Sequence, residues 1–341
     1  MTLPDTSPAV GHLVVGPNTH GVVRYALDVA EALTNLGEAH SVARMDAPDA
    51  DVPESMRRCE WIHMHVTDRL FGRSPADATE AIRRISNRLA RPVSVTMHDI
   101  PQPSDGGSMA ARAAFYRSVA SVAAGLVVSS RHEAVLLAEH VDARLNPEIV
   151  PLAIESHTYE RPTAWSEPTV GVLGFVYPGK GHIETARALR DMPQSVAFLA
   201  LGAPSPGHEY LIDELREEAR RSGRRCETTG FLTNEELRRR IAGVTVPVAY
   251  HRHMSASGSI NTWIGSGRKP LVPKTSYTVE LDARSPGSVL FHEDDETSLR
   301  EAIAECLAEP SRTWREVDIE PVPSPADVAL QYSTLFRRWA R

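Results

Sequence analysis

Short apolar runs alternate with amphipathic helical stretches along this chain, and the alternation begins twice. A strand that is apolar nearly throughout must be covered on both faces. A helix with one apolar side supplies that cover, so the pattern is that of a parallel sheet between two helix layers. In the first half, residues 11–15, 61–66, 93–97, 125–128 and 148–150 read as strands. The first of these breaks at Gly16-Pro-Asn-Thr-His-Gly21 and enters a helix in which Val22, Ala26, Val29, Ala30 and Leu33 recur at helical spacing. Gly37 closes that helix, and a later one near Arg131 turns Ala134, Leu137 and Ala138 inward.

Residues 152–168 are irregular and polar and hold two prolines, as an inter-domain connection does. The pattern then restarts with strands at 170–175, 195–201 and 244–249 and helices at 183–189 and 211–221. Thr233-Asn-Glu-Glu236 and Ser298-Leu-Arg-Glu301 read as capping boxes that open two more helices. After proline-rich 320–325, a last helix places Val328, Tyr332, Leu335, Phe336 and Trp339 on one side, and such a face must be buried. The expected architecture is α/β: two consecutive doubly wound units with a cleft between them, ligands sitting beyond the carboxyl ends of the strands.

With 341 residues, 42% hydrophobic and 24% charged, the chain can supply a core to each unit. The net charge of -7 excludes a dedicated nucleic-acid binder, which needs a concentrated basic face. Arginines cluster at 220, 221, 224 and 225 and at 238–240, but among glutamates, so they read as solvated helix faces. Cys59, Cys226 and Cys306 lie far apart, as expected of a reduced, cytoplasmic protein. The first ten residues carry no apolar signal core and no run reaches the length of a membrane span. Peripheral contact with a membrane stays open.

Tyr250-His-Arg-His-Met-Ser-Ala-Ser-Gly-Ser-Ile-Asn261 points most directly at a ligand class. It brings basic residues and a hydroxyl-rich turn to the start of a helix, where backbone N–H groups and the helix dipole favour a phosphate. Ser255, Ser257 and Ser259 add donors, and Gly258 lets an anion approach the backbone. Cys59, His63 and His65 are of metal-ligating types, but hydrogen-bonded strand histidines are the expectation there, and no metal site is predicted.

Taken in order, several segments resemble retaining glycosyltransferases of the two-Rossmann (GT-B) fold, close to glycosyltransferase family 4. They are Gly21-Val-Val-Arg-Tyr-Ala-Leu-Asp-Val-Ala-Glu-Ala-Leu33, Ser94-Val-Thr-Met-His-Asp99, Val127-Val-Ser-Ser-Arg131, Ile149-Val-Pro-Leu-Ala-Ile154, Gly171-Val-Leu-Gly-Phe-Val-Tyr-Pro-Gly-Lys-Gly181, Gly230-Phe-Leu-Thr-Asn-Glu-Glu-Leu237 and the serine-rich loop. The resemblance spans nearly the whole chain. It implies an acceptor-side domain over 1–157, with helix 325–341 packing back on it, and a nucleotide-sugar donor domain over 165–318.

The implied activity is retaining, metal-independent transfer of a hexosyl-type sugar from a nucleoside diphosphate sugar to a hydroxyl on a saccharide, glycolipid or small molecule. No cofactor is implied beyond that substrate. Lys180 stands where the family's phosphate-binding lysine stands, and His98 where it places a histidine beside the reacting sugar. Gly21, Tyr177, Arg252, Ser255, Ser257, Gly258, Ser259, Ile260 and Asn261 would join Lys180 around the donor, and Asn18, Thr19, His20 and Asp99 would face the acceptor. This chain departs from the family in three places. Ser255 stands where a first donor-loop glutamate is expected, Asn261 to Trp263 occupy the neighbourhood of a second, and Phe175 to Tyr177 lack the usual arginine. Two alternatives therefore stand beside transfer: a catalytically weakened homologue that binds sugar nucleotides or a partner, and another enzyme of this architecture such as a sugar-nucleotide epimerase.

Overall fold

The computed structural model describes residues 9–159, 161–162, 167–252, 254–316 and 319–340. The boundaries expected at 165 and 318, the polar residues before Ala9, His253 and Arg341 lie outside them. The chain divides into two compact units, Met1–Ala153 with Pro323–Arg341, and Ile154–Val322.

The first unit contains β1 (Val10–Val15), β2 (His40–Met45), β3 (Trp61–Val66), β4 (Val93–Met97), β5 (Gly125–Val128) and β6 (Glu148–Ile149). They form one parallel sheet in the order β2-β1-β3-β4-β5-β6. β1, β3 and β4 are buried throughout, as double coverage requires. Helix Gly21–Asn35 buries Val23, Ala26, Val29, Ala30 and Leu33 on one face. Helix Pro325–Trp339 opens with Pro325 at its first position and a Ser324–Asp327 capping box. It buries Val328, Tyr332 and Phe336 in a cluster with Val10, Val29, Leu33 and Trp61. The Trp61 and Trp339 rings stack with centroids 6.0 Å apart, and a Cβ at Gly125 would lie 2.8 Å from the Trp339 ring.

The second unit contains β7 (Thr169–Leu173), β8 (Ala197–Leu201), β9 (Cys226–Thr228), β10 (Val246–Val248), β11 (Leu271–Pro273) and β12 (Leu290–His292). Its parallel order is β12-β11-β10-β7-β8-β9. Both sheets are doubly wound. Their order reverses between β1 and β3 in the first unit and between β7 and β10 in the second, and loops leaving the strands diverge at such points.

Two sequence expectations are corrected. The helix expected to open at Ser298 begins at Glu296, capped by Asp295, whose carboxylate accepts from the Ser298 N–H at 2.8 Å. Arg224 does not belong to a solvated face: it is buried, and its guanidinium donates to the Val196 carbonyl at 2.8 Å and to those of Leu189 and Met192.

Candidate functional site

In the second unit, β7 and β10 are neighbours, so their carboxyl-terminal loops leave the sheet side by side. The β7 loop makes a turn in which the Lys180 N–H donates to the Tyr177 carbonyl at 3.1 Å, then enters helix His182–Ala188. The β10 loop returns through Ser255 and Ser257 to helix Gly258–Gly265. The loops are tied together where the Arg252 N–H donates to the Gly179 carbonyl at 2.9 Å. Gly181 is required for this closeness: its φ is 91°, and a Cβ there would lie 2.2 Å from the Tyr250 carbonyl oxygen.

Lys180, only 8% exposed, reaches across to the helix start and donates from Nζ to Ser259 Oγ at 2.9 Å. Its Nζ also lies 5.9 Å from the centroid of the Tyr177 ring. Ser257 caps the helix, its Oγ accepting from the Ile260 N–H at 3.3 Å and lying 3.2 Å from Ser259 Oγ. The Ser257 N–H in turn donates to Tyr277 Oη at 3.1 Å. With the Ile260 N–H engaged by the cap, Gly258 and Ser259 carry the first-turn N–H groups that have no intrahelical acceptor. Gly258 is exposed, and among the described residues nothing lies within 4 Å of where its Cβ would be. Ile260 points its side chain into an apolar cluster with Met254, Ile264 and Tyr277, so only its backbone faces the turn.

Two buried histidines flank Lys180. Burial first, and the Lys180 charge second, push His182 down to about 3 and hold His251 well below the ordinary imidazole range. Both are neutral at pH 7, so among the described buried residues of this turn Lys180 carries the positive charge. Arg252 is different. Its side chain is largely exposed and lies 3.5 Å from Glu184, a pairing worth little in solvent. Ser255 and Asn261 are buried beside the same turn.

In the first unit, His98 follows β4, and its N–H donates to the Val66 carbonyl at 2.9 Å. Its ring is buried and its Nε2 lies 3.0 Å from His65 Nδ1. Burial pushes its pKa down to about 4, with the Asp99 charge acting in the opposite sense. Asp99 is exposed and adopts φ 54°, a left-handed conformation uncommon for aspartate. The Arg112 guanidinium holds that conformation by donating to the Asp99 carbonyl at 2.6 Å while it pairs with Asp68 and Asp105. Tyr116 Oη donates to the carbonyls of both His98 and Asp99.

Asn18 and Thr19 are exposed in the turn after β1. His20 caps helix Gly21–Asn35, its Nδ1 accepting from the Val22 N–H at 3.2 Å. Burial lowers the His20 pKa, and Asp99 is the leading opposing influence, so these two loops share one electrostatic neighbourhood. Gly21 is exposed, with nothing among the described residues within 4 Å of its Cβ position, so their packing does not demand glycine there. The sequence does not single out His182, His251, Tyr277, His65 and Arg112 for this site. The nearest signal was His251, which lies inside the serine-rich stretch.

No protein-family model matches this chain, and no curated protein matches it in sequence. Solved structures do share its shape. HepE of Anabaena, solved with UDP and glucose, aligns with a TM-score of 0.68 at 14% identity, over 96% of this chain and 95% of HepE. Sucrose-phosphate synthase of Thermosynechococcus elongatus gives 0.69 at 14% identity, over 97% of this chain and 98% of the synthase. The fold is GT-B. AviGT4, a glycosyltransferase involved in avilamycin A biosynthesis, adds a TM-score of 0.59 at 17% identity over 98% of each chain. At these identities the likeness is one of fold, and the chemistry must be argued from the side chains.

Proposed function

We propose that this GT-B protein is a retaining glycosyltransferase that moves a sugar from a nucleoside diphosphate sugar to a hydroxyl acceptor without a metal ion. One observation carries the reading. Lys180 and Ser259 meet at 2.9 Å where the β7 and β10 loops diverge, beside the first turn of a helix. Departure of a nucleoside diphosphate concentrates negative charge on phosphate oxygens. A buried cation, a hydroxyl pair and helix N–H groups oppose that charge best when they are fixed before it develops. His182 and His251, kept neutral, leave the cationic role to Lys180. On the acceptor side, exposed Asp99 and buried His98 offer a carboxylate and an imidazole next to each other on a clamped loop. UDP is the first nucleotide to try, because HepE was solved with UDP and with UDP-glucose.

The test is a thermal-shift panel of UDP, GDP, ADP and their glucose conjugates, run with and without EDTA. The expected outcome is stabilisation by one nucleotide family, unchanged by EDTA and abolished in Lys180→Met. If no member of the panel raises the melting temperature, the proposal fails.

A second reading has one observation in its favour: neutral Ser255 and Asn261 are buried where carboxylates are expected to hold the donor sugar and ribose. Neutral groups make weaker hydrogen bonds to sugar hydroxyls. On that reading the chain binds a sugar nucleotide and turns it over poorly or not at all. Slow hydrolysis of the stabilising sugar nucleotide, lost in Lys180→Met, distinguishes the enzyme from the binding protein.

A further inference from the structure

We infer that His65 is a positioning residue that fixes the tautomer of His98, so that His98 meets its ligand as an Nδ1–H donor and not as a base. The inference rests on the proposed role of His98 beside the substrate, but its decisive measurement does not.

His65 lies on β3 and His98 just beyond the end of β4, in a register that pairs His65 with Thr96 and Val66 with Met97. His65 Nδ1 and His98 Nε2 are 3.0 Å apart, the ring centroids are 5.3 Å apart, and the planes are inclined by only 19°. That centroid separation is close to the bond plus two ring radii, so the rings meet edge to edge and nearly coplanar. Burial keeps both rings neutral at pH 7. The bond between them therefore contains one proton, and two arrangements can supply it.

The environment of His65 decides between them. Its other nitrogen, Nε2, is buried and, among the described residues, has no hydrogen-bond partner. Aromatic rings pack against the His65 ring: the centroids of Tyr25 at 5.4 Å and 82°, His63 at 5.0 Å and 90°, and Tyr332 at 6.2 Å. If His98 were the donor, the His65 proton would sit on Nε2 as a buried N–H without an acceptor, which native structures avoid. A contact with a ring face repays only a small part of that cost. If His65 Nδ1–H is the donor, Nε2 carries a lone pair and no donor is stranded. His98 then accepts at Nε2 and holds its own proton at Nδ1.

The His98 backbone is held on both sides, by its N–H bond to Val66 and by Tyr116 at its carbonyl. A ring flip would give up the bond to His65. His98 is thus prepared to donate to an oxygen of the sugar or acceptor. It cannot take up a proton without becoming a buried cation.

The test uses the full chain labelled with 15N-histidine and long-range 1H–15N correlation. The His98 signals are identified by their loss in His98→Gln. The wild type is expected to show His98 protonated at Nδ1 alone. In His65→Asn, whose amide N–H occupies nearly the same place as Nδ1–H, that state should persist. In His65→Leu the tautomers should mix or invert, and kcat for the sugar nucleotide should fall about 10- to 100-fold with KM for the donor changed less than about 2-fold. His65→Asn should recover most of the rate.

A wild-type His98 protonated at Nε2 overturns the inference without any variant. So does a tautomer unchanged in His65→Leu, or equal rates in the Leu and Asn variants. If no sugar nucleotide binds or turns over, the proposed function falls while the spectrum still decides the tautomer.

Discussion

Lys180 Nζ and Ser259 Oγ, 79 residues apart in sequence, are hydrogen-bonded at 2.9 Å. The bond joins the turn after β7 to the first turn of helix Gly258–Gly265, and it sits where the sheet order reverses. A serine hydroxyl can both accept from an ammonium and donate to a phosphate oxygen. On the proposed function, the pair exchanges this bond for a phosphate ligand with little rearrangement.

Lys180→Met keeps an unbranched side chain of similar length over the Tyr177 ring and removes only the charge. On the proposed function, kcat/KM should fall about 100- to 1000-fold, the range seen when one fixed electrostatic donor is removed from a site. Ser259→Ala removes a neutral group and should cost about 10-fold or less. Sugar-nucleotide hydrolysis rates, with melting curves to verify folding, check both. Equal losses in the two variants would show that the charge is not what matters.

Arg112 gives a prediction about stability. Its guanidinium pairs with Asp68 at 3.1 Å and with Asp105 at 2.5 Å, all three side chains being at most 16% exposed. Removing one partner of a buried pair strands the others, so Arg112→Met should destabilise the protein by about 3–5 kcal/mol. Arg112→Lys keeps the charge but not the planar fork that also reaches the Asp99 carbonyl. It should cost less stability while still disturbing Asp99. Urea unfolding of the two variants, with nucleotide binding measured alongside, makes the comparison.

What could be read from the sequence follows a physical line. β3, β4 and β5 occupy the residues expected of them because strands inside a doubly covered sheet must be almost wholly apolar. β2, β9 and β12 carry no such signal. They are sheet edges, and mostly half-exposed or exposed, so the apolar signal is diluted there. β11 is interior but only three residues long and ends in Pro273. At 295–301, two overlapping cap signals compete, and Asp295 prevails while Ser298 Oγ accepts from the Glu293 N–H instead. The serine-rich turn is legible because its cap is local. The His65–His98 bond spans 33 positions and the Arg112–Asp68 pair 44, and no periodicity encodes partners so far apart.

The C-terminal helix should be essential to the first unit. Phe336 is 1% exposed, and its ring centroid lies 5.1 Å from that of His63 and 5.8 Å from that of Tyr332. Phe336→Ala leaves a cavity and should cost about 3–5 kcal/mol. Leu330, 60% exposed on the same helix, serves as the control, and its alanine variant should change stability by less than about 0.5 kcal/mol. The urea midpoints of both variants measure this. Similar small shifts would mean that the helix is dispensable to the fold.

The same helix covers a line of buried histidines, and this makes stability depend on pH. Burial pushes His12 down to about 3 and His98 to about 4, and it also lowers His63 and His65. In the unfolded chain each titrates near 6.5. Below that pH the unfolded state binds protons that the folded state refuses, so acid favours unfolding. The stability these groups permit is therefore complete above about pH 6.5 and is lost progressively as the pH falls toward 4 and then 3. The expected slope between pH 6 and 5 is on the order of 1 kcal/mol per pH unit for each buried histidine. Replacing His12 by Gln removes one such group and should flatten the slope by one proton's worth, even if the variant is less stable at pH 7.5. Urea unfolding from pH 7.5 to 5 measures it. A wild-type stability that stays level across that range would mean that these imidazoles are protonated in the folded protein.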